Sequence, residues 1–188
     1  MLLFSLSALL ATSMPDSAGH WPQAASIQAV GLTFHPGGGT QPVLYPRRLD
    51  DGGWWVVQLG AATSYDVEPW TYFGIRAKTA WYMDCADKPQ MFFHLGVRGW
   101  IHKGENWSVH GGFGPTLVMR KDWQNLPGYA PNGFFGDDTW RGWQHRFLWY
   151  GGEFDLMRRL DDRTQLAISM VPGFPWAITT MIGVRRSW

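Results

Sequence analysis

The sequence predicts an all-β fold, an eight-stranded antiparallel transmembrane β-barrel of the bacterial outer membrane. Three observations predict it. Apolar and polar residues alternate over segments of roughly ten residues separated by turn signals, the pattern of strands that show one face to lipid. The 188 residues include 13 Trp and 23 Gly, with only 16% charged and 16% aromatic residues. Mean hydropathy is slightly negative, and beyond the N-terminus no run reaches the about 18 apolar residues that a spanning helix needs.

The alternation is clearest in residues 72–83. Phe73, Ile75, Ala77, Thr79, Trp81 and Met83 take one face, and Tyr72, Gly74, Arg76, Lys78, Ala80 and Tyr82 the other. In the next segment Met91, Phe93, Leu95, Val97 and Ile101 oppose Phe92, His94, Gly96, Arg98, Trp100 and His102. Residues 107–120 set Trp107, Val109, Phe113, Leu117 and Met119 against Ser108, His110, Gly112, Gly114, Thr116 and Arg120. Weaker alternation at 27–35, 53–65, 143–157, 164–172 and 176–188 completes eight strands. A water-soluble, lipocalin-like barrel would turn its apolar faces inward. Here the charged faces also carry the glycines, which suits a tight interior, and the apolar faces begin or end in aromatics, as at the two membrane interfaces.

Residues 1–24 read as a signal peptide with a short N-terminal segment, and 25–188 as the barrel. Leu2, Leu3, Phe4, Leu6, Leu9 and Leu10 form the apolar core of the leader, without the usual preceding Lys or Arg. Cleavage is expected between Ser13 and Ala25; the alternative is a buried terminal helix. With the N-terminus periplasmic, connections 66–70, 103–106 and 158–163 are short inner turns, and 36–52 and 121–142 are long outer loops. A net charge near +1 offers no basic stripe for nucleic acid. The single cysteine excludes an intramolecular disulfide. The closing Trp188 is the kind of terminal aromatic that barrel-assembly machinery reads, and nothing in the sequence calls for more than a monomer.

Strand phase and height sort the interior. Arg76, Arg98, His102, His110, Glu153, Asp155, Gln165 and Arg185 fall in the periplasmic half, where both signs of charge form a plug. Thr33, Val56, Ala80, Phe92, Gly112, Gly114, Phe147, Trp149, Val171, Ala177 and Thr179 fall in the outer half, with Lys78 and His94 between. A polar floor under an apolar shaft would accept a hydrocarbon chain; the alternative is a shaft packed by Phe147 and Trp149. His94, His102 and His110 share the inward phase but differ in height, so they read as core histidines and not as a metal site. No cofactor is implied. Trp123, Tyr129, Phe134, Phe135 and Trp140 in the long outer loop read as aromatics resting on the membrane interface.

Three residues converge at the outer mouth by topology. His35 ends the first strand facing inward, Asp84 ends the third facing inward, and Cys85 follows on the rim. A His oriented by a carboxylate is a general base for a hydroxyl or thiol. Further residues surround this trio: Asn106-Trp107, the Gly-rich strand Gly111 to Arg120, then Lys121, Asp122, Trp123, Gln124, Asn125, Leu126 and Pro127, with Phe34-His35 before and Pro172-Gly173 after. In these motifs the stretch from Trp81 to Gly128, and less specifically most of the chain, resembles the outer-membrane lipid A palmitoyltransferases (the PagP family).

The resemblance implies an acyltransferase that moves a fatty acyl chain from a glycerophospholipid to lipid A or another lipid acceptor. His35, Asp84 and Cys85 would be catalytic, and the donor headgroup would meet Arg47, Arg48 or Arg120. The acyl chain would lie among Gly96, Gly112, Gly114, Trp149, Ala177 and Thr179, with Gly96 at the position that sets chain length. Pro172, without a backbone donor, would weaken strand pairing and open a lateral door. Two departures stand against full membership. Cys85 replaces the family's Ser, and the helix that precedes the family's barrel shrinks to a stretch around His20, Trp21 and Pro22. A lipid A deacylase would carry His-x-Ser on a late strand, and no such pair follows His145. The other reading is a non-catalytic structural or adhesion barrel with a plugged lumen.

Overall fold

The computed structural model describes residues 21–34, 47–52, 54–127, 139–173 and 177–188. Residues 1–20 of the segment read as a leader and the loop residues 35–46 and 128–138 lie outside this set. Eight strands follow one another: β1 (Gln23–Phe34), β2 (Trp55–Val67), β3 (Phe73–Met83), β4 (Pro89–Lys103), β5 (Trp107–Lys121), β6 (Trp143–Arg159), β7 (Thr164–Gly173) and β8 (Ala177–Ser187). Each pairs antiparallel with the next, and β8 returns to β1, so the sheet is a closed barrel. Closure removes the exposed sheet edges that a hydrocarbon environment does not tolerate. At the seam, backbone bonds join Trp188 N to Gln23 O at 3.0 Å and Gln23 N to Trp188 O at 3.4 Å.

The start of β1 and the end of β8 share one rim with the connections 68–72, 104–106 and 160–163, while 35–54, 84–88, 122–142 and 174–176 leave the opposite rim. All the connections on the first side are short and both long ones lie on the other, which identifies the latter as the outer rim. Long β6 is launched by a tight hairpin at that rim. Trp140 and Trp143 exchange backbone bonds of 3.0 and 2.9 Å across Arg141 and Gly142, both at positive φ (51° and 81°). Two such residues make a type I′ turn, whose twist matches the strands it joins.

The period-2 pattern puts charge inside and carbon outside. Arg76, Arg98, Glu153, Asp155 and Arg185 are buried in the lumen, as their phase predicts. Trp81, Leu95, Phe113 and Ile182 are exposed on the outer wall, Phe113 at 67%, and Phe73 is half-buried there. A water-soluble barrel inverts this arrangement, whereas a bilayer requires it.

Bulges move part of the expected interior. At β4–β5, Trp100 pairs with His110 and His102 with Val109, so β4 carries one extra residue at Ile101. His102, expected in the lumen, is exposed as a result. At β5–β6, Gly114 pairs with Gly151 and Thr116 with Leu148, leaving Trp149 and Tyr150 opposite Pro115. Pro115 has no N–H to give, so β6 bulges across from it. Above the bulge Gln144 and Leu148 are buried, and below it Gly151, Glu153, Asp155 and Met157 are. Trp149, expected in the shaft, is 74% exposed on the outer wall, and Phe147 faces outward beside it with ring centroids 4.8 Å apart.

Candidate functional site: a charged floor and a closed mouth

The lumen is built around Asp66, which occupies the lumen face of β2 one residue before its end. Its carboxylate accepts from Arg76 Nε at 2.5 Å and Nη2 at 3.0 Å, from Arg98 Nη1 at 2.8 Å and from Arg185 Nε at 2.9 Å. Arg76 Nη1 also donates to Glu153 Oε2 at 3.0 Å and to Asp155. Ser169 Oγ donates to Asp155 Oδ1 at 2.5 Å and accepts from Gln28 Nε2 at 2.7 Å. Arg185 extends the net to Gln165 (2.9 Å) and to Glu68 (2.7 Å) near the periplasmic rim. Arg98 also donates to His110 Nδ1, which fixes that imidazole nitrogen as an acceptor. Paired in this way, the charges tolerate burial and fill the periplasmic half of the barrel.

The strand alternation foresees most of this floor, but not its hub. The segment predicted for β2 ends at 65, so Asp66 falls outside it, although Asp66 continues the even-numbered phase of Val56. Ser26, Gln28, Ser64 and Ser169, buried polar partners on neighbouring strands, carry no signal beyond that phase.

Above the floor lies a cavity of about 30 Å³ lined by Tyr82, Gln90, Phe92, Thr116, Leu148 and Thr179, with Val118, Gly151 and Val171 completing its wall. At about 10–15 Å³ per molecule it has room for roughly two waters, not a long hydrocarbon chain. Of the six residues expected to hold an acyl chain, Thr179 lines this space. Gly112 lies lower, where an added Cβ would stand 2.9 Å from Glu153 Oε1. Gly114 packs against the β4 backbone, 2.2 Å from Leu95 O to a built Cβ, and that of Gly96 would meet His94 Nε2 at 2.3 Å. These glycines make room for protein atoms. Trp149 is outside the barrel, and Ala177 pairs with Gly173 at the start of β8, its side chain lying outside the described set.

At the outer mouth, Asp84 begins the turn between β3 and β4 and is buried. Its Oδ1 accepts the backbone N–H groups of Ala86 and Lys88, each at 2.9 Å, and its Oδ2 accepts Trp123 Nε1 at 2.5 Å. An Asp that caps its own turn is a common use of this side chain. Trp123 opens a single 3₁₀ turn, Trp123–Asn125. It is half-buried against this turn, not laid out on the membrane interface as expected. The guanidinium of Arg120 lies 4.2 Å from the Trp123 ring, and its Nε donates to Gln144 Oε1 at 2.9 Å. Arg47 pairs with Asp87 nearby. Burial pushes the Asp84 carboxyl above its ordinary range, against the pull of the turn amides and Trp123. Cys85, expected on the rim, is 4% exposed. Burial, followed by the neighbouring Asp84 charge, raises its thiol well above the ordinary value, so it is held as the thiol and not as the nucleophilic thiolate. His35 lies outside the described residues, as do Tyr129, Phe134 and Phe135.

The wall between β6 and β7 is paired over only part of its height among the described residues. β6 and β7 pair from Phe154–Met170 to Arg159–Gln165, and among the described residues the outer part of β6, 143–153, has no partner on β7. Pro172 lies just beyond the last pair.

No family model matches the sequence, and no curated protein does. Solved structures match its fold. Ail, the attachment invasion locus protein of Yersinia pestis, in complex with the heparin analogue sucrose octasulfate, is 12% identical. The match covers 90% of this chain and 99% of that one, with a TM-score of 0.52. Neisserial surface protein A is 10% identical over 89% of this chain and 96% of its own, with a TM-score of 0.50. The chain is thus an eight-stranded outer-membrane β-barrel.

Proposed function

We propose that this chain is a non-catalytic outer-membrane barrel with a plugged lumen, a structural or adhesion protein that works through its outer face. The observation that carries this reading is the occupied lumen: the Asp66-centred network fills the periplasmic half, and the cavity that the described residues line above it measures about 30 Å³. The mouth supports it too. Among the described residues the Asp84 carboxylate is held by its own turn and by Trp123, and Cys85 is buried as a thiol. The likeness in fold to a protein named for attachment and invasion fits the same reading.

A second reading, acyl transfer between lipids by His35, Asp84 and Cys85, is favoured by the unpaired wall between β6 and β7, which borders the outer cavity through Leu148, Gly151 and Val171. Mass spectrometry of membrane lipids from cells with and without the gene separates the two. The non-catalytic barrel leaves every lipid with its acyl complement unchanged, and host-surface binding by the cells falls when the gene is removed. A gene-dependent extra acyl chain on lipid A or another lipid would overturn it in favour of acyl transfer.

A further inference from the structure

Between the charged floor and the outer cavity lies a layer of polar groups that the network does not satisfy. Lys78 on β3 stands opposite His94 on β4, and both are buried, Lys78 to 3% exposure. Among the described residues Lys78 Nζ, His94 Nε2 and Glu153 Oε1 have no hydrogen-bond partner, and neither has Gln28 Oε1. The other oxygens of the floor are engaged: both of Asp66, both of Asp155 and Oε2 of Glu153 hold guanidinium or hydroxyl donors. His94 links this layer to the cavity, since its Nδ1 lies 2.7 Å from Thr116 Oγ1 on the cavity wall.

The chemistry of the unsatisfied atoms selects their ligand. An ammonium offers three donors, Glu153 Oε1 and Gln28 Oε1 are acceptors, and an imidazole nitrogen is either. Buried polar atoms of both kinds, out of reach of one another, are joined by a molecule that donates and accepts at once. A hydrocarbon would leave all of them unsatisfied. A halide would sit well by Lys78 but against two acceptor oxygens.

We propose that the outer half of the lumen is an internal hydration site. Water occupies the cavity beside Thr116 and Thr179 and continues past His94 to bridge Lys78 and Glu153. The glycines around it, Gly96 and Gly112, leave the room that the His94 ring and the Glu153 carboxylate use. The slot above the floor is therefore a solvent chamber and not an acyl slot. This inference does not rest on the non-catalytic reading.

The test is water–protein and lipid–protein cross-relaxation by NMR on the full-length protein in nanodiscs, with protonated and with perdeuterated lipid. Long-lived water gives cross-peaks at Thr116, Thr179, the His94 ring and the Lys78 side chain, and these are the same in both lipids. Cross-peaks at Thr116 and Thr179 that vanish on lipid deuteration would overturn the proposal, while unchanged cellular lipids would still leave the non-catalytic reading standing. Absence of water cross-peaks at both Lys78 and Thr116 would overturn it as well. In Lys78→Met the water signals near His94 and Glu153 should disappear while those at Thr179 persist. If that variant does not fold, the measurement on the natural protein decides alone.

Discussion

Asp66→Asn removes the one carboxylate that three guanidinium groups share. Asn keeps the shape and one acceptor oxygen, but loses the charge and turns an amide donor toward Arg76, Arg98 or Arg185. The natural side chain is fully buried and accepts four hydrogen bonds at 2.5–3.0 Å. Breaking a buried ion pair by removing one partner costs about 3–5 kcal/mol. Against a net stability on the order of 5–15 kcal/mol, that is about a fifth or more of the total. Urea titration in lipid vesicles, followed by the heat-modifiable mobility of the folded barrel in electrophoresis, should show the midpoint falling accordingly. Adding Arg98→Met to Asp66→Asn should cost less than Arg98→Met alone, because the guanidinium has already lost its Asp66 partner. A coupling of roughly 0.5–3 kcal/mol is expected for residues in one network. A loss below about 1 kcal/mol for Asp66→Asn, or strict additivity with Arg98→Met, would refute the view that this network holds the lumen together.

Gly114→Ala should destabilise the barrel by roughly 1–3 kcal/mol, the usual penalty of overpacking, because the new methyl meets the Leu95 carbonyl at 2.2 Å; urea midpoints of the two proteins check this. Cys85 in the folded barrel should react with a maleimide far more slowly than in urea, since its thiol is buried and held protonated; equal rates would contradict its placement. Asp84 has a raised folded-state pKa caused first by burial, so its charge costs the folded barrel stability above that value. Lowering the pH through it, down to the ordinary 3.8, should relieve the cost and no more below. The urea midpoint of the barrel should rise over that window and not fall.

Much of this barrel was legible as alternation. Arg76, Arg98, Glu153, Asp155 and Arg185 face the lumen because a strand turns every second residue the same way, and the aromatic termini of the opposite faces located the bilayer. Alternation fails where register slips. It misplaced His102 and Trp149, each beside a bulge, although Pro115 in the middle of β5 was a visible sign of the second. It also misjudged height: Gly112 sits at the level of Glu153 because tilted strands stagger their residues, and counting from a strand end does not include the stagger. The mouth was legible as a meeting of residues but not as a set of bonds. Nothing in Asp84 and Trp123, far apart in sequence, announces that one holds the other.

Pro115 has a consequence for β6 that reaches beyond its own missing bond. Odd-numbered residues face the lumen on the periplasmic side of Trp149 and Tyr150, and the even-numbered Gln144 and Leu148 on the outer side. A single absent hydrogen on one strand thus acts as a parity marker for its neighbour, deciding which of Leu148 and Trp149 meets lipid. Restoring that hydrogen, as in Pro115→Val, would permit the uninterrupted register, in which the outer half of β6 turns over and Trp149 swings into the lumen. Any barrel that keeps a proline here, with an extra residue across from it, keeps the inversion whatever its side chains are.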